Sequence, residues 1–483
     1  MHHRTLWLGA LLSFPVLHST PAAAEPAVSA DQARQVQQQI EAWLAGIAGT
    51  PSPAGQHGIQ VTPEDDHYRL TIPLQSLSDG PAPLQFTLAA RPLEAPRWAF
   101  EGAGFKLPAD YAITQTLPAT AAAPARTVKI HYTITAKEQT GIGLWDPTFK
   151  TASTFSQSAT QLRSEATGET LHQVMEAALS HGTTVIQPVD ADRVDVNLEG
   201  TLEGLSLETQ MEAGEFKVAI KMGRVAGAIT GLERERAAAM VASVAKVSAA
   251  SQGLSPDAKS ALTGRTVLEG LRGLADGLTL DETFDGISVI AGGTEYGASK
   301  GMLGLTVQNV KGLADIAMVL AVEGVAPGKP GPFDTFIPGA VTLKPHVTGL
   351  TSKEWLDFVI ASSAPNADRQ GLANALLSKG ELEAGLEPFE IVLGRTGLTG
   401  TVTVHFNPGG APRIAAEISA THFEDLSAKA SATPFAAQAI PALLLVKGMA
   451  RTSGDRLLWS VLSETGRTTV NGTDLSAALG QRR

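Results

Sequence analysis

The residues most suggestive of chemistry are Gly297-Ala298-Ser299-Lys300-Gly301, a G-x-S-x-G run. In serine hydrolases this pattern bends a buried strand into a helix, and the strained turn lifts the serine hydroxyl above the sheet as a nucleophile. Asp357 and His405 follow downstream as an acid and a base of suitable type. The frame does not match, because Gly301-Met302-Leu303-Gly304-Leu305 continues in strand-like alternation where a helix should begin. In a chain with 48 glycines such a match is expected by chance. A glycine-rich β-turn is the preferred reading, and a serine hydrolase using Ser299 stands as the alternative.

Other spacings fail on missing members. Ser243-Val244-Ala245-Lys246 has the S-x-x-K of penicillin-recognising enzymes, but neither S-D-N nor K-T-G follows. Asp190-Ala191-Asp192-Arg193-Val194-Asp195 is acidic like a calcium loop. Val194, Asp195 and Thr201 stand where the fifth-position ligand, the glycine and the bidentate glutamate are needed, so it reads as a solvated turn. His172 and Glu176 have the spacing of one helical face, without a second imidazole nearby in sequence. Gly102-x-Gly104 and Gly141-x-Gly143 lack the third glycine of a dinucleotide loop. Asn471-Gly472-Thr473 fits a glycosylation sequon and, better, a hairpin turn. No catalytic, cofactor-binding or metal-ligating residue is therefore assigned, no cofactor is expected, and a non-enzymatic role is the leading expectation.

Composition narrows the partners. With 37 Lys and Arg against 48 Asp and Glu the chain is acidic, which argues against nucleic acid and against a general electrostatic dock onto anionic lipid. Cysteine is absent, which excludes disulfides, Cys-based zinc sites and thiol nucleophiles. The strongest apolar stretch in the body, Ala439 to Val446, is interrupted by Pro441 and reads as core. It is far short of the roughly 20 residues a membrane-spanning helix needs. The 25 aromatics (6 Trp, 4 Tyr, 15 Phe) are too scattered for the girdles of an outer-membrane barrel.

Residues 1–24 read as a signal peptide. His2, His3 and Arg4 precede an apolar run from Leu6 to Leu17, and Ala22-Ala23-Ala24 supplies a small-residue cleavage site. Cleavage near Ala24 leaves 36 basic and 48 acidic residues, a formal charge of −12. Export to the periplasm is the expected destination, with no transmembrane segment after cleavage.

The elements that would position any site follow from periodicity. Residues 25–57 predict an N-terminal helix and a linker, with Val36, Ile40, Trp43, Leu44 and Ile47 at helical spacing. Residues 58–232 predict a β-rich region. Tyr68, Leu70, Ile72 and Leu74 alternate with polar neighbours, as do Val128, Ile130, Tyr132 and Ile134, while 140–190 look less regular. Residues 233–280 predict a helical hairpin, Arg234 to Ala250 and Ala258 to Leu278. Residues 281–483 predict a second β-rich region with helical insertions. There Thr351-Ser352-Lys353-Glu354 forms a capping box, and Pro434 opens a further helix. Segments 194–232, 284–325 and 382–426 share a strand, glycine-rich turn, strand pattern without residue-level identity. The fold class is α+β: a long, curved antiparallel meander with helices inserted between strand groups.

Ile337-Pro338-Gly339 leading to Leu343 and Gly349-Leu350, and the ending Trp459-Ser460-Val461 through Thr469-Val470-Asn471-Gly472, carry a resemblance over the last third of the chain. There it resembles an uncharacterised exported alphaproteobacterial family, domain-of-unknown-function family 2125. More distantly it resembles the YdgA-like and AsmA-like envelope proteins. The resemblance implies a periplasmic, sheet-rich, non-enzymatic protein, and by analogy with AsmA-like proteins a link to envelope lipid. The expectation is a binding or scaffold protein sheltering a lipid or other apolar ligand. The third possibility is an envelope assembly partner that binds only protein.

Overall fold

The computed structural model describes residues 28–38, 59–74, 84–117, 126–237, 256–328, 336–362, 368–377, 382–406 and 411–475, less gaps of one to three residues, with four positions between 239 and 247. Residues 1–24, read above as a signal peptide, and most of the expected linker lie outside these residues. The fold is α+β and overwhelmingly antiparallel, as the alternation requires. The chain divides into two compact units, Met1–Asp276 and Gly277–Arg483.

The first unit carries β1 (Gln60–Pro63), β2 (Tyr68–Leu74), β3 (Leu84–Pro92), β4 (Trp98–Phe105), β5 (Ala109–Leu117), β6 (Arg126–Thr135), β7 (Glu138–Trp145), β8 (Ser153–Thr167), β9 (Leu171–Pro188), β10 (Arg193–Met211) and β11 (Gly214–Glu233). They pair in the order β1-β2-β3-β4-β7-β8-β9-β10-β11. The far half of β8 also carries β6, which holds β5. Helix α1, residues 30–38, closes one end. Ala33 packs with Tyr68, Leu70 and Ala90, and the Tyr68 hydroxyl accepts from Ser29 N (3.2 Å) while donating to Gln32 Oε1 (2.6 Å). Burying a tyrosine requires such partners for its hydroxyl.

Residues 140–190, expected to be irregular, form β7, β8 and β9. Two effects hide them. Their inward positions include Ser, Thr and Gly, and the alternation itself changes phase. The inward set in β8 runs Phe155, Ala159, then Leu162, Ala166; in β10 it runs Leu198, Leu202, then Leu205, Leu207. The phase changes at one row, Gln161–Ala178–Gly204–Lys221, where all three ladders skip a pairing without shifting register. Gln161 and Gly204 have φ of 49° and 59° there. Each strand inserts its extra residue at the same level, so neighbouring strands stay paired while their faces exchange.

His172 and Glu176 therefore sit on strand β9, not on a helix. Their partners are Glu165 and Arg163 across the ladder. The hydrogen bond from Arg163, then that from His172, holds the Glu165 carboxyl below its usual range. The Asp190 segment is the β9–β10 turn. Asp190 Oδ1 accepts from the backbone N–H groups of Asp192 and Arg193, both at 2.9 Å, and Oδ2 accepts from Arg193 Nε at 2.9 Å. These bonds, the Asp192 amide first, lower its pKa. A carboxylate with a depressed pKa contributes order that is present above its unfolded pKa and is lost as pH falls through the folded value. Hydrogen exchange of the Asp192 and Arg193 amides should accordingly quicken below about pH 4, relative to the neighbouring ladder amides. Equal protection across that range would contradict this account of the turn.

Helix α2 spans Pro256–Gly270, shorter than expected: Leu278 belongs to the next strand. The preceding helical segment begins at 234–237, and Ser243 donates to Ala239 O at 2.8 Å, as a helical serine does.

The second unit carries β12 (Gly277–Ala291), β13 (Thr294–Val310), β14 (Leu313–Glu323), β15 (Ala326–Pro327), β16 (Ala340–Leu350), α3 (Ser352–Ser362), α4 (Arg369–Leu377), β17 (Leu382–Leu393), β18 (Thr396–Phe406), β19 (Arg413–Thr421), α5 (Phe423–Ser431), α6 (Ala436–Gly448), β20 (Arg451–Ser453), β21 (Arg456–Glu464), β22 (Arg467–Val470) and β23 (Thr473–Asp474). The order is β12-β13-β14-β16-β17-β18-β19-β21-β22-β23, with β15 on β13 and β20 on β21. The capping box forms as expected: Thr351 Oγ1 accepts from Glu354 N (3.2 Å) and Glu354 Oε2 accepts from Thr351 N (3.0 Å). Asn471 and Gly472, at φ 51° and 84°, make the β22–β23 turn. The Asn471 side chain is committed internally, donating to Met449 O and Leu458 O and accepting from Ser460 N.

Candidate functional site

The second unit's ladders place most of the aliphatic side chains on one face. Register follows from strand to strand: Leu305 lies opposite Leu280 and Met318, Leu303 opposite Leu320, and Leu320 opposite Leu343. Farther along, Leu386 lies opposite Val402, Val402 opposite Ala416, and Ile418 opposite Trp459. The reverse face carries Asp281, Lys300, Lys344, Glu383, Glu387, His405 and Glu417. This is the period-two segregation of a sheet with one face turned from water.

Two helical pairs cover that face in part. At one end of the strands α3 and α4 bring Trp355, Phe358 and Leu376 against Val347, Leu350, Leu382 and Phe406. At the other, α5 and α6 bring Phe423, Leu426 and Leu443 against Leu398, Ala420, Leu457 and Trp459. Leu398 and Phe406 are eight residues apart on β18, roughly 27 Å at a strand's rise. Between them Leu303, Leu305, Met318, Leu343, Leu386 and Val402 remain only partly buried, and Leu320 is 38% exposed. A closed core would bury such side chains almost completely. The arrangement is an apolar floor with a helical pair at each end. Such a surface offers dispersion contact and water release to whatever apolar group would cover it.

The Ala439–Val446 stretch corrects an expectation. It lies on α6, and no residue of that helix is buried; Leu444 and Leu445 are 59% and 65% exposed. With one layer beneath it, the helix packs only its inner side, where Leu443 joins the cluster and Val446 O accepts from Trp459 Nε1 at 2.8 Å.

Ser299 lies within β13, away from any strand-to-helix elbow. It occupies a second kink row, Gly286–Ser299–Gly324, where β12 and β13 change phase together. Gly286 and Gly324 have φ of 62° and 64°, and the Ser299 hydroxyl donates to Glu323 O at 3.0 Å. The motif is thus neither an elbow nor a β-turn. A Cβ at Gly301 would lie 2.8 Å from Ile287 Cδ1, so a larger residue there would displace the tip of that side chain. Asp357 and His405 are engaged elsewhere: Asp357 accepts from Lys353 Nζ (2.7 Å), and His405 Nδ1 lies 3.0 Å from Glu383 Oε2.

On the polar face His346 and His405 flank Glu383, at 3.8 and 3.0 Å. Among the described residues no group of three or more His, Cys, Asp or Glu is arranged to hold a metal ion. No described helix is long and apolar enough to cross a membrane. Alternation in the sequence shows which face of the sheet is apolar, while the helices that leave its middle open are placed by tertiary contacts. Comparison with family models, curated proteins and solved structures finds no match.

Proposed function

We propose that this chain is an exported, non-catalytic envelope protein that holds a lipid acyl chain or similar apolar ligand on the apolar floor of its second unit. The observation that carries the reading is the partly exposed floor itself, bounded by helices and continuous across strands β12 to β19. The signal-like first 24 residues and the resemblance to exported envelope families support export and a periplasmic setting. The position and hydrogen bonding of Ser299 favour this reading over hydrolysis. A role as scaffold for envelope proteins shares the same surface and would use it for protein.

Protein purified without detergent should release selective, near-stoichiometric lipid into organic solvent, identified by mass spectrometry. Leu320→Glu, which places a charge at an already exposed floor position, should reduce that lipid at least tenfold while leaving the circular dichroism spectrum unchanged. Lipid-free wild-type protein, or lipid retained in the variant, would overturn the proposal.

A further inference from the structure

Glu282 is out of place. Along β12 the apolar-face positions are Leu278, Leu280, Glu282 and Phe284, and Glu282 lies directly opposite Leu303. From there the same row continues to Leu320 and Leu343. Across the floor positions of β12, β13, β14, β16, β17, β18 and β19, no other charged residue appears. The Glu282 side chain is partly buried. It makes no hydrogen bond or ion pair with any described residue. On the reverse face Glu383 and Glu417 have partners, His405 and Ser460, and Asp281, Glu387 and Glu390 stand exposed to water.

A carboxylate on an aliphatic surface loses part of its hydration and gains nothing from leucine or phenylalanine neighbours. Leu280 and Phe284 flank it at roughly 7 Å along the strand, so any molecule lying on the floor would have its polar end within reach of this one charge. Such a carboxylate accepts hydrogen bonds and offers none. It repels an anionic headgroup, tolerates a neutral one, and attracts an ammonium group.

We propose that Glu282 is the headgroup contact of the floor, and that the ligand is an amphiphile bearing an ammonium group, its chain on Leu303, Leu305 and Leu320 and its nitrogen on Glu282. The assignment rests on the reading of the floor as a binding surface and names the chemistry that surface selects.

The test compares three ligands with the same sixteen-carbon chain, hexadecylamine, hexadecanol and hexadecanoate, titrated calorimetrically below their aggregation thresholds at pH 7. Wild-type protein should bind the amine about tenfold more tightly than the alcohol, the scale of one charge-assisted hydrogen bond. The acid should bind most weakly. Glu282→Gln should make amine and alcohol equal while leaving the alcohol's affinity within about twofold. Asp281→Asn removes the same charge one residue away on the opposite face and should preserve the amine preference, which separates a local contact from the chain's general acidity. A lysophosphatidylethanolamine arm distinguishes an aminolipid headgroup from a free alkylamine. Equal binding of amine and alcohol by wild-type protein, or a preference that survives in Glu282→Gln, overturns the headgroup assignment alone. Failure of all three ligands to bind overturns the floor reading with it.

Discussion

Truncating Trp459 to alanine should lower the stability of the second unit by about 3–5 kcal/mol, the range for removing a large buried aromatic. Trp459 is 7% exposed, its ring lies 5.9 Å from that of Phe423, and its indole N–H donates to Val446 O. It ties strand β21 to helix α5 through the Phe423 ring and to helix α6 through Val446 O. Removing it opens a cavity under both helices and leaves the Val446 carbonyl without this donor. Trp459→Phe should recover most of the loss, because it restores ring contact and forfeits chiefly the hydrogen bond, worth about 1 kcal/mol. Urea unfolding followed by circular dichroism reads both values. A loss below about 1 kcal/mol for the alanine variant would mean that the helices do not depend on this contact.

Gly324→Ala should be the second largest effect, about 2–5 kcal/mol, from two separable causes. A left-handed backbone costs a residue with a side chain roughly 1–2 kcal/mol, and Gly324 has φ of 64°. The added Cβ would also lie 2.4 Å from Ser299 Oγ and 2.9 Å from Ser299 Cβ, an overlap that must push the kink row apart. Overpacking of this kind costs about 1–3 kcal/mol. A double-mutant cycle distinguishes the parts. Combining Gly324→Ala with Ser299→Gly should return the overlap contribution and leave the backbone contribution. Additive losses would show that Ser299 and Gly324 do not press on each other, and would remove the packing explanation for the motif.

Much of the fold was legible in the sequence. Tyr68 to Leu74 and Val128 to Ile134 announced themselves by alternation, and the Thr351–Glu354 capping box placed α3. What failed did so for identifiable reasons. Residues 140–190 looked irregular because the inward set moves from odd to even positions at Gln161 and from odd to even again near Ala178, which breaks any single period-two template. The G-x-S-x-G run was ambiguous because the same small residues serve a tight turn and a kinked strand, and only the glycines on the neighbouring strands, Gly286 and Gly324, decide between them. Ala439 to Val446 read as core because hydropathy says nothing of whether a second layer lies above a helix. Glu282 was invisible as a site, since one acid in an alternating strand has no meaning until its neighbours across the ladders are known.

The aligned kink rows restrict how such a chain can change in length. Because every strand of a row carries its own additional residue, the pairing survives only while all of them agree. Deleting one residue from β9 alone would turn half of that strand over, exposing its aliphatic set and burying its polar one against unchanged neighbours. A deletion at a hairpin tip, such as the Gly292–Gly293 turn, would leave every face where it is. The sheet therefore behaves like a set of lines in register, in which a letter can be dropped at the margin but never from the middle of one line.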